Sequence, residues 1–329
     1  LSEISNTWDK EGIDIEKSLG LSEKSVASMD EDAVTQAVES GFNAMSAANI
    51  SPDIIEAIMV GSESHPYVVK PTSTIVGEIL GIQGNYFASD LEFACKAGTA
   101  GIQLVSGLID SGRINTGLVI GSDVAQAKPA DVLEYTAASA AAAFVLGNKG
   151  LIAKILDFTS YSSNTPDFWR RDGQKYPSHG GRFTGGPAYF THVQAASESL
   201  LEKSKLKPDQ FDYAVFHMPN SKFPQEVAKK LGFRQDQLKV GFIVEKIGNP
   251  YSASSVLGLA SVLDVALPNQ KIFLCSYGSG AGSDAFIFET TPEITKFQKN
   301  QKIKVADEIK NKRFIEYSQI AKGILSRHL

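Results

Sequence analysis

Residues 93–109 read FACKAGTAGIQLVSGLI, and residues 247–263 read IGNPYSASSVLGLASVL. Each is a short loop of small residues that opens an apolar, helix-like run. The two line up without a gap, and Cys95 falls opposite Asn249. The likeness extends outward on both sides. SPDIIEAIMVGSES (51–64) resembles KPDQFDYAVFHMPN (207–220), with Pro52-Asp53 matching Pro208-Asp209 ahead of an apolar strand. INTGLVIGSD (114–123) likewise corresponds to NQKIFLCSYGSG (269–280). A unit of βαβ type that occurs twice in the same order implies a duplicated fold. The halves should meet along equivalent helices, with the divide near residue 155.

Strand-like runs alternate with helical patterns along the rest of the chain, which is an α/β arrangement. Further strands are expected in SAAAAFVLG, LIAKILDFTSYS and DAFIFET, and helices in EDAVTQAVESGFNAMSAANI, in FPQEVAKKLGF and over about 187–205. The stretch 160–190 is long, irregular and rich in Gly, Pro, Ser and aromatics, as functional loops often are. The units are thus 1–155, 156–291 and a Lys-rich tail, 292–329. The chain enters directly into helix-like sequence at Leu1, and a short N-terminal segment is expected to precede it.

Composition narrows the function. The 329 residues are 43% hydrophobic with a net charge of -5, so a nucleic-acid partner is disfavoured. No run is apolar and long enough to span a membrane. Two cysteines make neither a disulfide framework nor a zinc site, which points to the cytoplasm and to no metal. Cys275 lies inside an apolar strand and reads as structural. Cys95 differs. It stands at a helix start, which lowers a thiol pKa, with Gly98, Thr99 and Gly101 leaving room for a substrate carbonyl.

Glu63 ends the strand AIMVGSE, and His217 ends its repeat-related counterpart YAVFH. Ligands of α/β folds gather at such strand ends. A pseudo-two-fold axis would bring Glu63, His217, Cys95 and Asn249 to one pocket. Apolar neighbours should keep the His217 imidazole neutral. The loop SYGSGAGSDAF matches no phosphate motif, and Gly278 and Gly280 are expected to supply an oxyanion hole. His65, His179, His192 and His328 show no metal spacing and read as structural or surface residues.

These residues resemble the thiolase superfamily and, more narrowly, the archaeal-type 3-hydroxy-3-methylglutaryl-CoA synthases. The resemblance rests on VGSESHPYVVKPTST, DLEFACKAGTAG, LEYTAA, TPDFWRRDGQKYPSHGGRFTGGPAYF, FDYAVFHMPNSKFP, IGNPYSASS, SYGSGAGSDAF and the tail NKRFIEYSQIAKG. It implies a five-layered αβαβα fold and a homodimer. It places the acyl-accepting cysteine on Cys95, the catalytic glutamate on Glu63 and the catalytic histidine on His217. Substrate contacts fall on Thr136, Thr184, Asn249 and Ser279, and a CoA contact on Lys222.

Acetyl-CoA and acetoacetyl-CoA are the implied substrates, with no further cofactor. In the implied scheme Glu63 takes a proton from acetyl-Cys95, and His217 protonates the developing alkoxide. An acetoacetyl-CoA thiolase, held through a small OB-fold protein with a zinc-ribbon-like segment, is the implied partner. Two departures stand out. Glu226 occupies a position where an arginine is usual, so the positive charge is lost or moved to Lys229 or Lys230. The family's opening strand also has no counterpart, and with it a central member of the first sheet is expected to be missing. A ketoacyl-carrier-protein synthase III-like enzyme and a non-catalytic scaffold are the alternatives. Glu63 discriminates against the first and an intact Cys/Glu/His set against the second.

Overall fold

The computed structural model describes residues 1–8, 15–124, 127–280 and 282–326. Two four-stranded sheets organise them. The first contains β1 (Ala57–Gly61), β2 (Phe87–Leu91), β3 (Thr116–Val124) and β4 (Ser139–Gly147), in the order β2-β1-β3-β4. The second runs β5-β10-β9-β8, from β5 (Ala153–Ser162), β8 (Tyr213–Phe216), β9 (Lys271–Cys275) and β10 (Gly282–Thr290). A two-residue pair, β6 (Phe168–Trp169) with β7 (Ser178–His179), lies in the long loop. In each sheet a parallel pair sits beside an antiparallel one: β1 with β3 and then β4, β8 with β9 and then β10. That shared order is the duplication read from the sequence. The chain passes between the sheets in residues 148–152.

Helices complete the layers. Ala33–Ala48 and Thr72–Ile79 cover the outer face of the first sheet. Asp32 caps the former, its carboxylate accepting the Val34 and Thr35 amides at 2.9 Å. Thr191–Ser204 covers the second sheet. Between the sheets lie Ala97–Asp110 and Ser254–Leu263, whose Ile102, Val105, Val256 and Leu259 join β-strand residues of both halves in one core. The result is the expected αβαβα stack. These central helices are apolar on most sides because both faces are buried.

One strand was not read from the sequence, and one expectation is corrected. β2 is not legible as a strand: FASDL is short, half-exposed and carries Asp90, whose carboxylate caps the Thr72 and Ser73 amides. And β4 ends the first sheet, whereas β5 lies outside β10 in the second. A counterpart of β5 in the first half belongs at the sheet's edge rather than its centre. A broad groove runs along β4, and Cys95, Glu63 and His217 are not among its lining residues.

Candidate active site

Cys95 lies in a 3-10 turn, Ala94–Lys96, that leads into the helix Ala97–Asp110. Ala94 holds a left-handed φ of 46°, which swings the next side chain sharply off the strand direction. The sulfur is buried, packed with Ala127, Ala137 and Tyr251. The backbone amides of Ser279 and of Cys95 itself reach it. Those donors favour a thiolate, but burial and then the charges of Glu63 and Asp123 push the thiol well above its ordinary range. The lowered pKa expected from the helix start is therefore not found. Desolvation and two carboxylates outweigh a partial dipole charge.

Glu63 sits just past β1 and is partly buried. Its carboxyl is raised well above the usual range by burial, then by Asp123, with Arg170 opposing. Asp123, at the end of β3, is fully buried and fixes this loop. One oxygen accepts Ser62 Oγ at 2.7 Å, the Glu63 amide at 2.9 Å and Ser64 Oγ at 2.6 Å, and the other accepts the Ser252 amide at 2.8 Å. His217 follows β8 and is 1% exposed. Burial lowers its pKa to about 3, so the imidazole is neutral as expected. Its Nδ1 is buried without a protein partner, its ring faces Tyr277, and its carbonyl accepts the Tyr189 hydroxyl at 2.8 Å.

Asn249 and Thr136 form one wall. The Asn249 amide donates to the Thr136 carbonyl at 2.7 Å, and the Ala138 amide to the Asn249 carbonyl at 3.0 Å. The Asn249 side-chain oxygen accepts the Tyr251 amide at 3.0 Å. Tyr251 reaches back to the sulfur's cluster, and the charges of Glu63, Cys95 and Asp123 all act on its hydroxyl. Thr184 opens a π-helical turn, Thr184–Phe190, whose link to the site runs through Tyr189 and His217. Lys222 is exposed at the start of the helix Lys222–Leu231. Glu226 pairs with Lys230 at 2.9 Å, and Lys230 also lies over the Phe190 ring.

The glycine loop is corrected. The Gly278 amide donates to Gly282 O at 2.7 Å, and the Gly280 amide to Asp167 Oδ1 at 2.7 Å. Both amides are engaged, the second by a residue of the long 160–190 stretch, so Ser279 between them supplies the amide that faces the sulfur. Gly278 instead allows close packing, since a Cβ there would lie 2.6 Å from Phe93 O. Cys275 is fully buried with its thiol pushed up to about 12, consistent with a structural role. His65 meets Thr72, His179 meets Asp131, and His192 bonds Ser163 and the Ala188 carbonyl. His328 lies outside the described residues.

Sequence reasoning missed Asp123, Asp167 and Tyr251. Asp123 had a usable signal, since VIGSD ends a strand just as AIMVGSE does. Asp167 and Tyr251 had none, because their roles arise from loops meeting in space.

Comparisons with known proteins show the chain's family and fold. The family described as 3-oxoacyl-[acyl-carrier-protein] synthase III matches residues 89–164, and its C-terminal part residues 201–290. The hydroxymethylglutaryl-CoA synthase of Archaeoglobus fulgidus is 53% identical over 318 residues, 97% of this chain and 92% of that protein. The chain belongs to the hydroxymethylglutaryl-CoA synthase family. The family's Methanocaldococcus jannaschii enzyme is 51% identical over 98% of this chain and 93% of its own length. A solved structure of MvaS in complex with 3-hydroxy-3-methylglutaryl coenzyme A has a TM-score of 0.88 at 20% identity, covering 98% of this chain and 87% of that one. A 3-oxoacyl-[acyl-carrier-protein] synthase III from Aquifex aeolicus shares the fold more loosely. Its TM-score is 0.76 at 22% identity, over 82% of this chain and 88% of its own.

Proposed function

We propose that the pocket around Cys95 carries out the condensation of a hydroxymethylglutaryl-CoA synthase. Acetyl-CoA, acetoacetyl-CoA and water give 3-hydroxy-3-methylglutaryl-CoA and CoA. One observation carries the residue roles: a buried thiol met by backbone amides lies within electrostatic reach of a carboxyl group whose pKa is raised. Acyl transfer to Cys95 comes first, and the thiol proton ends on the departing CoA sulfur. The amides of Ser279 and Cys95 stabilise the oxyanion and then the enolate.

Ionised Glu63 removes a methyl proton from acetyl-Cys95, and the carbanion adds to the ketone carbon of acetoacetyl-CoA. A histidine with a pKa of about 3 is a hydrogen-bond donor rather than a proton source. Glu63 therefore returns its proton to the alkoxide, while His217 and the Asn249 side-chain amide orient the ketone. Hydrolysis of the Cys95 thioester completes the cycle. A Glu63 poised above the ordinary carboxylate range suits both removal and return of a proton near neutral pH.

The CoA moiety is proposed to extend toward exposed Lys222. The free edge of β2, with Phe87 54% exposed and Tyr67, Val68 and Val69 also exposed, supports a homodimer. Association with a thiolase through an OB-fold protein is proposed from the family resemblance, with exposed Phe314 marking a candidate contact on the tail. A cytoplasmic setting is proposed, in keeping with two cysteines that are both free. No helix among the described residues is long and apolar enough to cross a membrane. A ketoacyl-synthase reading is weakened by Glu63, since decarboxylation generates a carbanion without such a base. Product analysis by mass spectrometry with both CoA thioesters tests the function. Continued thiol release and 3-hydroxy-3-methylglutaryl-CoA should each require both substrates, acetyl-CoA alone releasing only the single equivalent of CoA displaced by Cys95.

A further inference from the structure

We infer that Tyr317, in the C-terminal segment, is a positioning residue for the condensation step, holding Asn249 in place from behind through Glu134. The inference rests on the reading of the site given above. Glu134 is 4% exposed, an expensive place for a carboxylate unless each oxygen finds a donor. One oxygen accepts the Ala130 amide at 2.8 Å, and the other accepts the Tyr317 hydroxyl. The Glu134 carbonyl accepts Lys24 Nζ. Asp131 caps the same turn, accepting the Leu133 amide at 2.8 Å. These bonds fix the 3-10 turn Val132–Tyr135, and that turn delivers Thr136. Thr136 O and Ala138 N then bracket Asn249 through the two backbone bonds described above.

Tyr317 is itself immobilised. Trp8 Nε1 donates to its hydroxyl at 3.0 Å, its amide donates to the Glu3 carboxylate at 2.6 Å, and its ring packs on Ile4 and Tyr135. A segment 183 residues distant in sequence thus supplies the donor that keeps the turn in register. Phenylalanine would seal the same apolar contact without that donor. The hydroxyl's specific effect is to place one carboxylate oxygen, and an unpartnered buried oxygen would pull the turn toward water. The backbone of Cys95 is set by the elbow at Ala94 and the helix behind it, and the sulfur meets this region only through apolar packing on Ala137 and Tyr251. Disturbance of the Glu134 turn therefore acts on the ketone side of the pocket far more than on the acyl-transfer side.

The test is Tyr317→Phe in the full chain, read three ways: acetyl transfer to Cys95 from acetyl-CoA alone, condensation kcat with both substrates, and amide hydrogen exchange. Condensation should slow about tenfold, the scale of one charge-assisted hydrogen bond, while acetylation stays within about twofold. Exchange should quicken in 130–139 and 247–252 but not in 94–101. Equal losses in both steps, or no loss of condensation, would overturn the inference. Should the unsubstituted protein fail to acetylate Cys95, the reading of the site fails instead. Exchange alone then decides, and unchanged protection at 247–252 would sink the latch. If Tyr317→Phe does not fold, Trp8→Phe removes the donor behind the same hydroxyl. It should shift the same readouts in the same direction but less, and wild-type values throughout would contradict the account.

Discussion

The two halves use the same backbone device for different ends. At Ala94 a left-handed φ of 46° precedes a 3-10 turn and then a central helix, and at Tyr251 a φ of 47° does the same. In the first half the next residue is Cys95, aimed at the pocket. In the second it is Ser252, whose amide donates to Asp123 and whose hydroxyl donates to Gly61 O at 2.9 Å. The duplicated elbow is thus a nucleophile holder on one side and a staple between halves on the other. The match of the two elbows also corrects the sequence pairing. Cys95 is equivalent to Ser252, three residues beyond Asn249. Asn249 instead precedes the elbow, where its backbone pairs with Thr136 and Ala138.

If the elbows are so divided, substitutions at each should separate activity from stability. Cys95→Ala should abolish product formation, by roughly 10⁴-fold or more as expected for loss of a nucleophile, with little change in the unfolding midpoint. Product assay alongside a denaturant titration reads both. Gly121→Ala strikes the staple. Its Cβ would lie 2.6 Å from Ser252 O and 3.0 Å from Val256 Cγ2, and the Ser252 backbone has little room to yield. A loss of about 1–3 kcal/mol or more is expected from such overpacking, measured by the same titration.

His217 sharpens the comparison through pH. Its folded pKa of about 3 lies below the unfolded value of 6.5, so the unfolded chain binds the proton first. Stability from this residue is present above about pH 6.5 and lost as pH falls toward 3, with a slope approaching ~1.4 kcal/mol per unit. His217→Gln should flatten that slope in urea titrations taken between pH 6 and pH 4. Smallest of all, Ser252→Ala removes only the bond to Gly61 O and should cost about 1 kcal/mol of stability. Product formation should largely persist in Ser252→Ala, unlike Cys95→Ala.

What was legible in the sequence follows the same division. Cys95 stood out from its small-residue setting at a helix start, whereas Glu63 and His217 stood out only because they end equivalent strands of the repeat. The seven strands read as apolar runs all form, because each packs apolar side chains against the core, β5 through the partly buried Ala153, Ile155 and Phe158. β2 escaped because an edge strand needs little apolar content. The glycine loop misled for a different reason. Glycine marks where backbone comes close, but which amide is free depends on partners elsewhere, here Asp167 and Gly282. The three-residue slip in the repeat arose because similar small residues fill both loops, while the left-handed residues that define the elbow are Ala94 and Tyr251, neither of them glycine.

The account's central claim is that Cys95 accepts the acetyl group without Glu63 and that the carbon–carbon bond requires Glu63. It is tested by Glu63→Gln incubated with acetyl-CoA, digested, and the peptide containing Cys95 weighed before and after acetoacetyl-CoA is added. The account predicts an acetylated Cys95 peptide that persists and loss of condensation on the order of 10²–10⁴-fold. Condensation at the wild-type rate, or a Cys95 that never takes up acetyl, would contradict it.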